Sequence, residues 1–160
     1  MIILVMGVSG SGKTTIGTQL AEALHWSFYD ADSFHPPINI DKMRHGIPLS
    51  DVDRLPWLMA LQQAIAGWLQ SHTNTVLACS ALKSEYRQRL CLSQQVKQVY
   101  LKGSFALIQQ RLQQRQGHYM KADLLQSQFD TLEEPEDAIQ VDIDQSPSAI
   151  VMQIRKALNV

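Results

Sequence analysis

The chain opens on Ile2-Ile3-Leu4-Val5, an apolar run without polar alternation, the pattern of a strand buried on both faces. Over residues 14–24 the spacing changes. Ile16, Leu20, Ala23 and Leu24 fall on one side of a 3.6-residue period, which predicts a helix. Ser27-Phe28-Tyr29 predicts a short second strand ending at the acidic Asp30. His35-Pro36-Pro37 breaks regular structure, since proline restricts itself and its neighbour. Asp53 is then predicted as the N-cap of a helix, with Pro56 in its first turn and Leu58, Leu61, Ile65 and Trp68 at helical spacing. Strands are predicted at 75–79, 96–101 and 139–143, and helices at 83–92, from Ser104 onward, and at 149–158. In the helix after Ser104, Phe105, Ile108 and Leu112 share a face. Strands alternating with helices predict an α/β domain whose mostly parallel sheet is covered on both faces.

Composition narrows the class. At 160 residues, with 45% hydrophobic and 18% charged positions, the chain is one globular domain with a core of its own. A formal net charge of −1 argues against a nucleic-acid surface. No stretch approaches the ~20 apolar residues needed to span a bilayer. Cys79 and Cys91, at no metal-ligand spacing, are expected as reduced thiols in the cytoplasm.

The chemistry begins at Gly7-Val8-Ser9-Gly10-Ser11-Gly12-Lys13-Thr14, which fits G-x-x-x-x-G-K-[ST] at every fixed position. It lies between a predicted buried strand and a predicted helix, the context this loop requires. Glycines let backbone N–H groups converge on phosphate oxygens, and the helix that follows adds its positive end. Lys13 is placed to reach the β- and γ-phosphates, and the Thr14 hydroxyl to ligate Mg²⁺. Thr15 is a weaker candidate for an α-phosphate contact.

The loop alone does not separate kinases from GTPases, ATPases or nucleotide-dependent switches. No N-K-x-D guanine motif is present, and the third strand ends Cys79-Ser80 rather than Asp-Glu. Asp30 and Asp32 lie just past the second strand, on the side of a parallel sheet where ligands collect. In phosphoryl transfer to an alcohol, one carboxylate takes the hydroxyl proton while another helps order Mg²⁺. These roles fall to Asp32 and Asp30.

These residues belong to a longer pattern. Asp30-x-Asp32 is followed by His35-Pro36, by Asn39-x-x-Lys42-Met43 and by Gly46-x-Pro48-Leu49-x-Asp51-x-Asp53-Arg54-x-Pro56-Trp57-Leu58. Further on come Cys79-Ser80-Ala81-Leu82-Lys83-x-x-Tyr86-Arg87, Arg115-x-Gly117-His118 and Gln128-Phe129-x-x-Leu132-Glu133-x-Pro135. In these motifs, spread over nearly the whole chain, the protein resembles the bacterial gluconokinases, small P-loop kinases related to shikimate and adenylate kinases. One departure is Ala31, where the family pattern often has glycine; alanine there excludes little but positive φ.

The resemblance implies a P-loop kinase fold with a five-stranded parallel sheet, helices on both faces and a small mobile lid. It implies ATP-dependent phosphorylation of D-gluconate at its terminal hydroxyl, Mg²⁺ as cofactor and a homodimer. Gluconate needs cations for its carboxylate and partners for its hydroxyls. Arg54, Lys83 and Arg87 are the candidate cations, with Lys83 and Arg87 four apart on one predicted helical face. Asp32, His35 and His118 are the candidate hydroxyl partners. Arg111 and Arg115 are also four apart. Arg115 is expected to neutralise charge on the moving phosphoryl. Arg111 is expected either to share that role or to stack on adenine, opposite the 144–147 loop with Pro147. A 160-residue chain has no room for a separate substrate domain. The acceptor site is therefore expected from insertions at about 35–54 and, as the lid, about 114–135. Two other classes stay open: a small-molecule kinase of other, shikimate-like specificity, and a non-catalytic nucleotide-binding switch.

Overall fold

A computed structural model describes residues 1–115 and 122–160. Its centre is β1 (Ile2–Met6), all five residues of which are inaccessible to solvent. Ile3 and Val5 point into one core cluster, with residues of the first, fifth and seventh helices. Ile2, Leu4 and Met6 point into the other, with residues of the third and fourth. Burial on both faces is why the run shows no alternation. β3 (Thr75–Ala78) and β4 (Val96–Lys102) flank β1 in parallel, with Ile2 opposite Thr75 on one side and Val96 on the other. β2 (Ser27–Asp30) and β5 (Ile139–Asp142) complete the order β2-β3-β1-β4-β5, all neighbours parallel. The expected five-stranded parallel sheet is present.

The helices are α1 (Lys13–Leu24), α2 (Pro37–Arg44), α3 (Asp51–Gln70), α4 (Ser84–Leu90), α5 (Phe105–Gln114), α6 (Ala122–Thr131) and α7 (Pro147–Leu158). Ser104 caps α5 as expected, its hydroxyl accepting from the Leu107 N–H at 3.1 Å. Among the described residues no helix is long and apolar enough to cross a membrane.

Three local expectations are corrected. The N-cap of α3 is Ser50, three residues before Asp53. The two form a capping box: Ser50 Oγ accepts from the Asp53 N–H at 3.1 Å, and Asp53 Oδ2 accepts from the Ser50 N–H at 3.0 Å. Pro56 consequently lies one turn further into the helix than expected. Second, the Pro36-Pro37 break also starts a helix, because a proline at the first helical position forfeits only an N–H that has no partner there. Third, α4 begins at Ser84 with Lys83 as its cap residue, so Lys83 and Arg87 are not a helical i,i+4 pair. Within the segment expected as the lid, α6 carries Leu125 into the core, and the Glu133 N–H bonds Leu82 O at 2.9 Å. Residues 116–121, with His118, lie outside the described residues.

Candidate active site

Because every strand is parallel, all five C-terminal ends meet at one edge of the sheet, and the loops that leave them converge there. The phosphate loop leaves β1. Its backbone requires glycine at Gly10 (φ +82°) and Gly12 (φ +98°). At Gly10 a Cβ would also sit 2.8 Å from Leu112 Cγ. Gly12 occupies the N-cap position of α1 with no side-chain cap. The first N–H groups of α1 are therefore left for an anion. Lys13 folds back over the loop, its Nζ donating to Val8 O at 3.0 Å. Desolvation lowers its pKa, opposed by the negative groups around it, among them Asp32 and Asp30, while the Arg115 charge pushes the same way as burial. Lys13, Asp30, Asp32 and Arg115 thus share one electrostatic neighbourhood.

Asp30 ends β2 and caps a 3₁₀ turn (Ala31–Phe34), Oδ1 accepting from the Asp32 N–H at 3.0 Å. Its other oxygen accepts from the Thr14 hydroxyl at 3.2 Å. A hydroxyl and one carboxylate beside a phosphate loop suit Mg²⁺, which keeps several waters and is held by one or two carboxylates plus substrate phosphates. Among the described residues, no group of three or more His, Cys, Asp and Glu forms a metal cage of the protein's own. Asp32 is raised above the ordinary carboxylate range, first by desolvation on burial, then by the Asp30 charge, with Lys13 opposing.

The insertion at 35–54 builds the next wall. His35 stacks on Trp57 with ring centroids 4.6 Å apart and planes 10° from parallel. Trp57 in turn donates to Ala31 O at 2.7 Å, fastening α3 to the turn that carries Asp32. Asn39 is buried, and its Nδ2 donates both to Asp53 O at 2.8 Å and to His35 Nδ1 at 3.2 Å. The Asp53 carbonyl can only accept, so it fixes the amide's orientation, and the amide fixes the tautomer. His35 Nδ1 is an acceptor and Nε2 carries the proton. Desolvation and then the Arg54 charge lower the His35 pKa, which favours the same neutral ring.

Beside it Asp51 gathers three partners. Lys83 Nζ lies 3.0 Å from its Oδ1, Arg54 approaches the same oxygen at 3.8 Å, and the Tyr86 hydroxyl donates to it. The hydrogen bonds from Tyr86 and Lys83 hold Asp51 below the usual carboxylate range, and the Asp51 bond raises Lys83. Arg54 and Lys83, 29 positions apart in sequence, thus form one cationic corner.

Arg87 is not part of that corner. It is buried, with NH1 donating to Ala81 O at 2.9 Å and Leu82 O at 3.0 Å, and NH2 donating to Glu133 O at 2.7 Å. Ala81 sits at φ +44°, a left-handed conformation costly for a side chain with a Cβ. Arg87 therefore braces the strained loop after β3, its hydrogen bonds going to backbone carbonyls.

On the other side of the phosphate loop a cleft of about 220 Å³ is lined by Gly10, Gly12, Thr15, Arg111, Arg115 and Pro147, among others. Arg111 is anchored to Ile143 O at 2.7 Å. This brings the expected nucleotide-side residues together, with Arg111 facing the 144–147 loop across the cleft. Asn39, Asp51, Trp57 and Tyr86 were given no role by sequence reasoning, although they lie inside the quoted motifs. Nothing in local spacing shows that an asparagine will be buried against a histidine ring.

The family model described as shikimate kinase matches residues 9–159. The protein named "Probable gluconokinase" from Xenopus tropicalis is 45% identical, covering 96% of this chain and 91% of its own. The thermoresistant gluconokinase of Escherichia coli K12 is 43% identical, with 94% and 89% covered. The crystal structure of a gluconokinase from Sinorhizobium meliloti 1021 superposes with a TM-score of 0.85 at 42% identity, covering 98% of this chain and 93% of that one. With a parallel five-stranded sheet, a complete phosphate loop and such relatives along its whole length, the chain belongs to the gluconokinases, within the shikimate kinase family of P-loop kinases.

Proposed function

We propose that this protein is an ATP-dependent gluconokinase, transferring the γ-phosphoryl group of ATP to the terminal hydroxyl of D-gluconate to give 6-phospho-D-gluconate and ADP. The observation that carries the reading is the cationic corner of Arg54 and Lys83 on Asp51, beside a neutral His35 and on the carboxylate side of the phosphate loop. A polyhydroxy acid needs this combination: cations for one end, hydroxyl partners along its length, and a base at the other.

ATP places its base in the cleft between Arg111 and Pro147. Its phosphates lie along the loop from Gly7 to Thr14, on the N–H groups of Gly10, Gly12, Lys13 and Thr14, with Thr15 behind them. Thr14 and Asp30 would hold Mg²⁺, which would supply positive charge against the phosphates. Arg54 and Lys83 take the gluconate carboxylate. His35 donates from Nε2 to a hydroxyl, and His118 joins the acceptor set on the resemblance alone. Asp32 orients the terminal hydroxyl and receives its proton late, as the oxygen bonds to phosphorus and the bond to the ADP oxygen breaks. Lys13 and Arg115 stabilise the charge on the moving group. Excluding water from the site keeps it from competing with the sugar hydroxyl. Exposed Val52, Leu55 and Met59 form a stripe on α3 that supports the homodimer the resemblance implies.

Coupled ADP release measured across D-gluconate, L-idonate, shikimate and nucleoside monophosphates tests the reading. Strong preference for gluconate is expected. Preference for shikimate or a nucleotide, or ATP binding without turnover, would overturn it.

A further inference from the structure

The motif Gln128-Phe129 has no part in the scheme above, yet Gln128 reaches the phosphate loop. Its Oε1 accepts from the Ser9 N–H at 2.7 Å, and its Nε2 donates to Ser9 Oγ at 3.0 Å. The two residues are 119 positions apart in the chain. The backbone N–H can only donate, so the amide orientation is settled.

The Ser9 N–H belongs to the same peptide unit as the Val8 carbonyl, and that carbonyl accepts from Lys13 Nζ at 3.0 Å. One planar group is therefore held at both ends, by Gln128 on its N–H and by Lys13 together with the Ser11 N–H, at 3.2 Å, on its C=O. A rotation that released the N–H would swing the carbonyl away from the lysine. The two bonds also polarise one another, since a carbonyl that accepts from an ammonium makes its own N–H a stronger donor. Anchoring α6 does not need this contact. Leu125 is already in the core, and the Phe129 ring packs edge-on against Phe105 at 5.5 Å. Few side chains serve in this position. Glutamate keeps the acceptor but adds an anion beside the phosphates, and asparagine is one methylene short.

We propose that Gln128 is a positioning residue for phosphoryl transfer, fixing the Val8–Ser9 peptide and through its carbonyl the resting place of the Lys13 ammonium. The proposal rests on the reading of this site as an ATP-dependent kinase.

The test compares wild type with Gln128→Ala and Gln128→Glu in the full chain. It measures kcat, KM for ATP, KM for gluconate, thermal midpoint and calorimetric affinity for Mg·ATP. Gln128→Ala is expected to lower kcat about tenfold, the worth of one to two lost hydrogen bonds. It should leave KM for gluconate within about twofold and the melting temperature within about 2 °C, as for a contact outside the core. Gln128→Glu is expected to recover much of kcat and to raise KM for ATP, a split that a purely structural tie would not produce. Wild-type kcat and ATP affinity in Gln128→Ala would overturn the proposal. So would a kcat loss matched by equal losses in melting temperature and gluconate KM. If wild type turned over no sugar acid, the kinase reading would fail by itself. ATP affinity would then decide the point about Gln128, with about tenfold weaker binding by the alanine variant expected and unchanged binding refuting it.

Discussion

Arg87→Met removes the guanidinium that braces the loop after β3 and leaves the aliphatic stem largely matched in volume. Arg87 is only 6% exposed, and its two terminal nitrogens reach the carbonyls of Ala81, Leu82 and Glu133. NH1 carries two N–H groups and serves the first two separately, so three charge-assisted bonds are made, offset by the cost of burying the guanidinium. Each is worth ~1.5–3 kcal/mol when the donor is charged. Glu133 is a surface residue whose carbonyl water can partly satisfy. Ala81 cannot relax cheaply, because its φ of +44° persists only while its surroundings hold it. The expected loss is roughly 2–4 kcal/mol. For a chain of this length each kcal/mol moves the melting temperature by about 2–4 °C, so a fall of roughly 5–15 °C is expected. Thermal and urea unfolding of the variant give the stability, and steady-state kinetics give KM for gluconate. Arg87→Lys should recover only a small part, since a single ammonium cannot fork between carbonyls. A melting temperature within about 2 °C of wild type, together with a large rise in KM for gluconate, would refute the brace and return Arg87 to the ligand set.

β1 was legible because a strand buried on both faces has an unmistakable composition, and the phosphate loop because its chemistry is written in adjacent residues. Arg87 was not legible as a brace. Its sequence neighbour Lys83 suggested a cationic pair, while the carbonyls it serves are exposed by a positive φ at Ala81 and by Glu133, 46 residues away. Ser50 and Asp53 are both cap-forming residue types, and only the reciprocal bonds say which one is the cap. α2 was missed because a short polar helix carries little periodicity and is held by tertiary contacts such as Asn39 on His35, whereas α6, with Leu125 and Phe129 at helical spacing, was passed over because the resemblance assigned its segment to a lid.

Three further outcomes follow from the site. Asp32 is raised above the ordinary carboxylate range, and it must be ionised to take the hydroxyl proton. The acid limb of the kcat–pH profile should therefore lie above pH 3.8, and should vanish together with most activity in Asp32→Asn. Asp53 is held down to about 2 by the Ser50 N–H and Lys42, against 3.8 when unpaired. Its contribution to stability is present above pH 3.8 and lost as pH falls through about 2, so Asp53→Asn should flatten acid unfolding in that window, as circular dichroism would record. Asp51→Asn removes the group that holds Arg54 and Lys83 together. It should raise KM for gluconate about fivefold with kcat little changed, as loss of ground-state binding does; a fall in kcat with unchanged KM would contradict that role.

The central claim is that the phosphate loop serves an acceptor site for a polyhydroxy acid. The most direct measurement is ADP release by the wild-type protein with Mg·ATP and D-gluconate, alongside Lys13→Met. The account predicts gluconate-dependent turnover, with 6-phospho-D-gluconate as the product, and a fall of about two orders of magnitude or more in kcat in a variant that remains folded. No gluconate-dependent ADP from the wild type, or near-wild-type turnover by Lys13→Met, would contradict it.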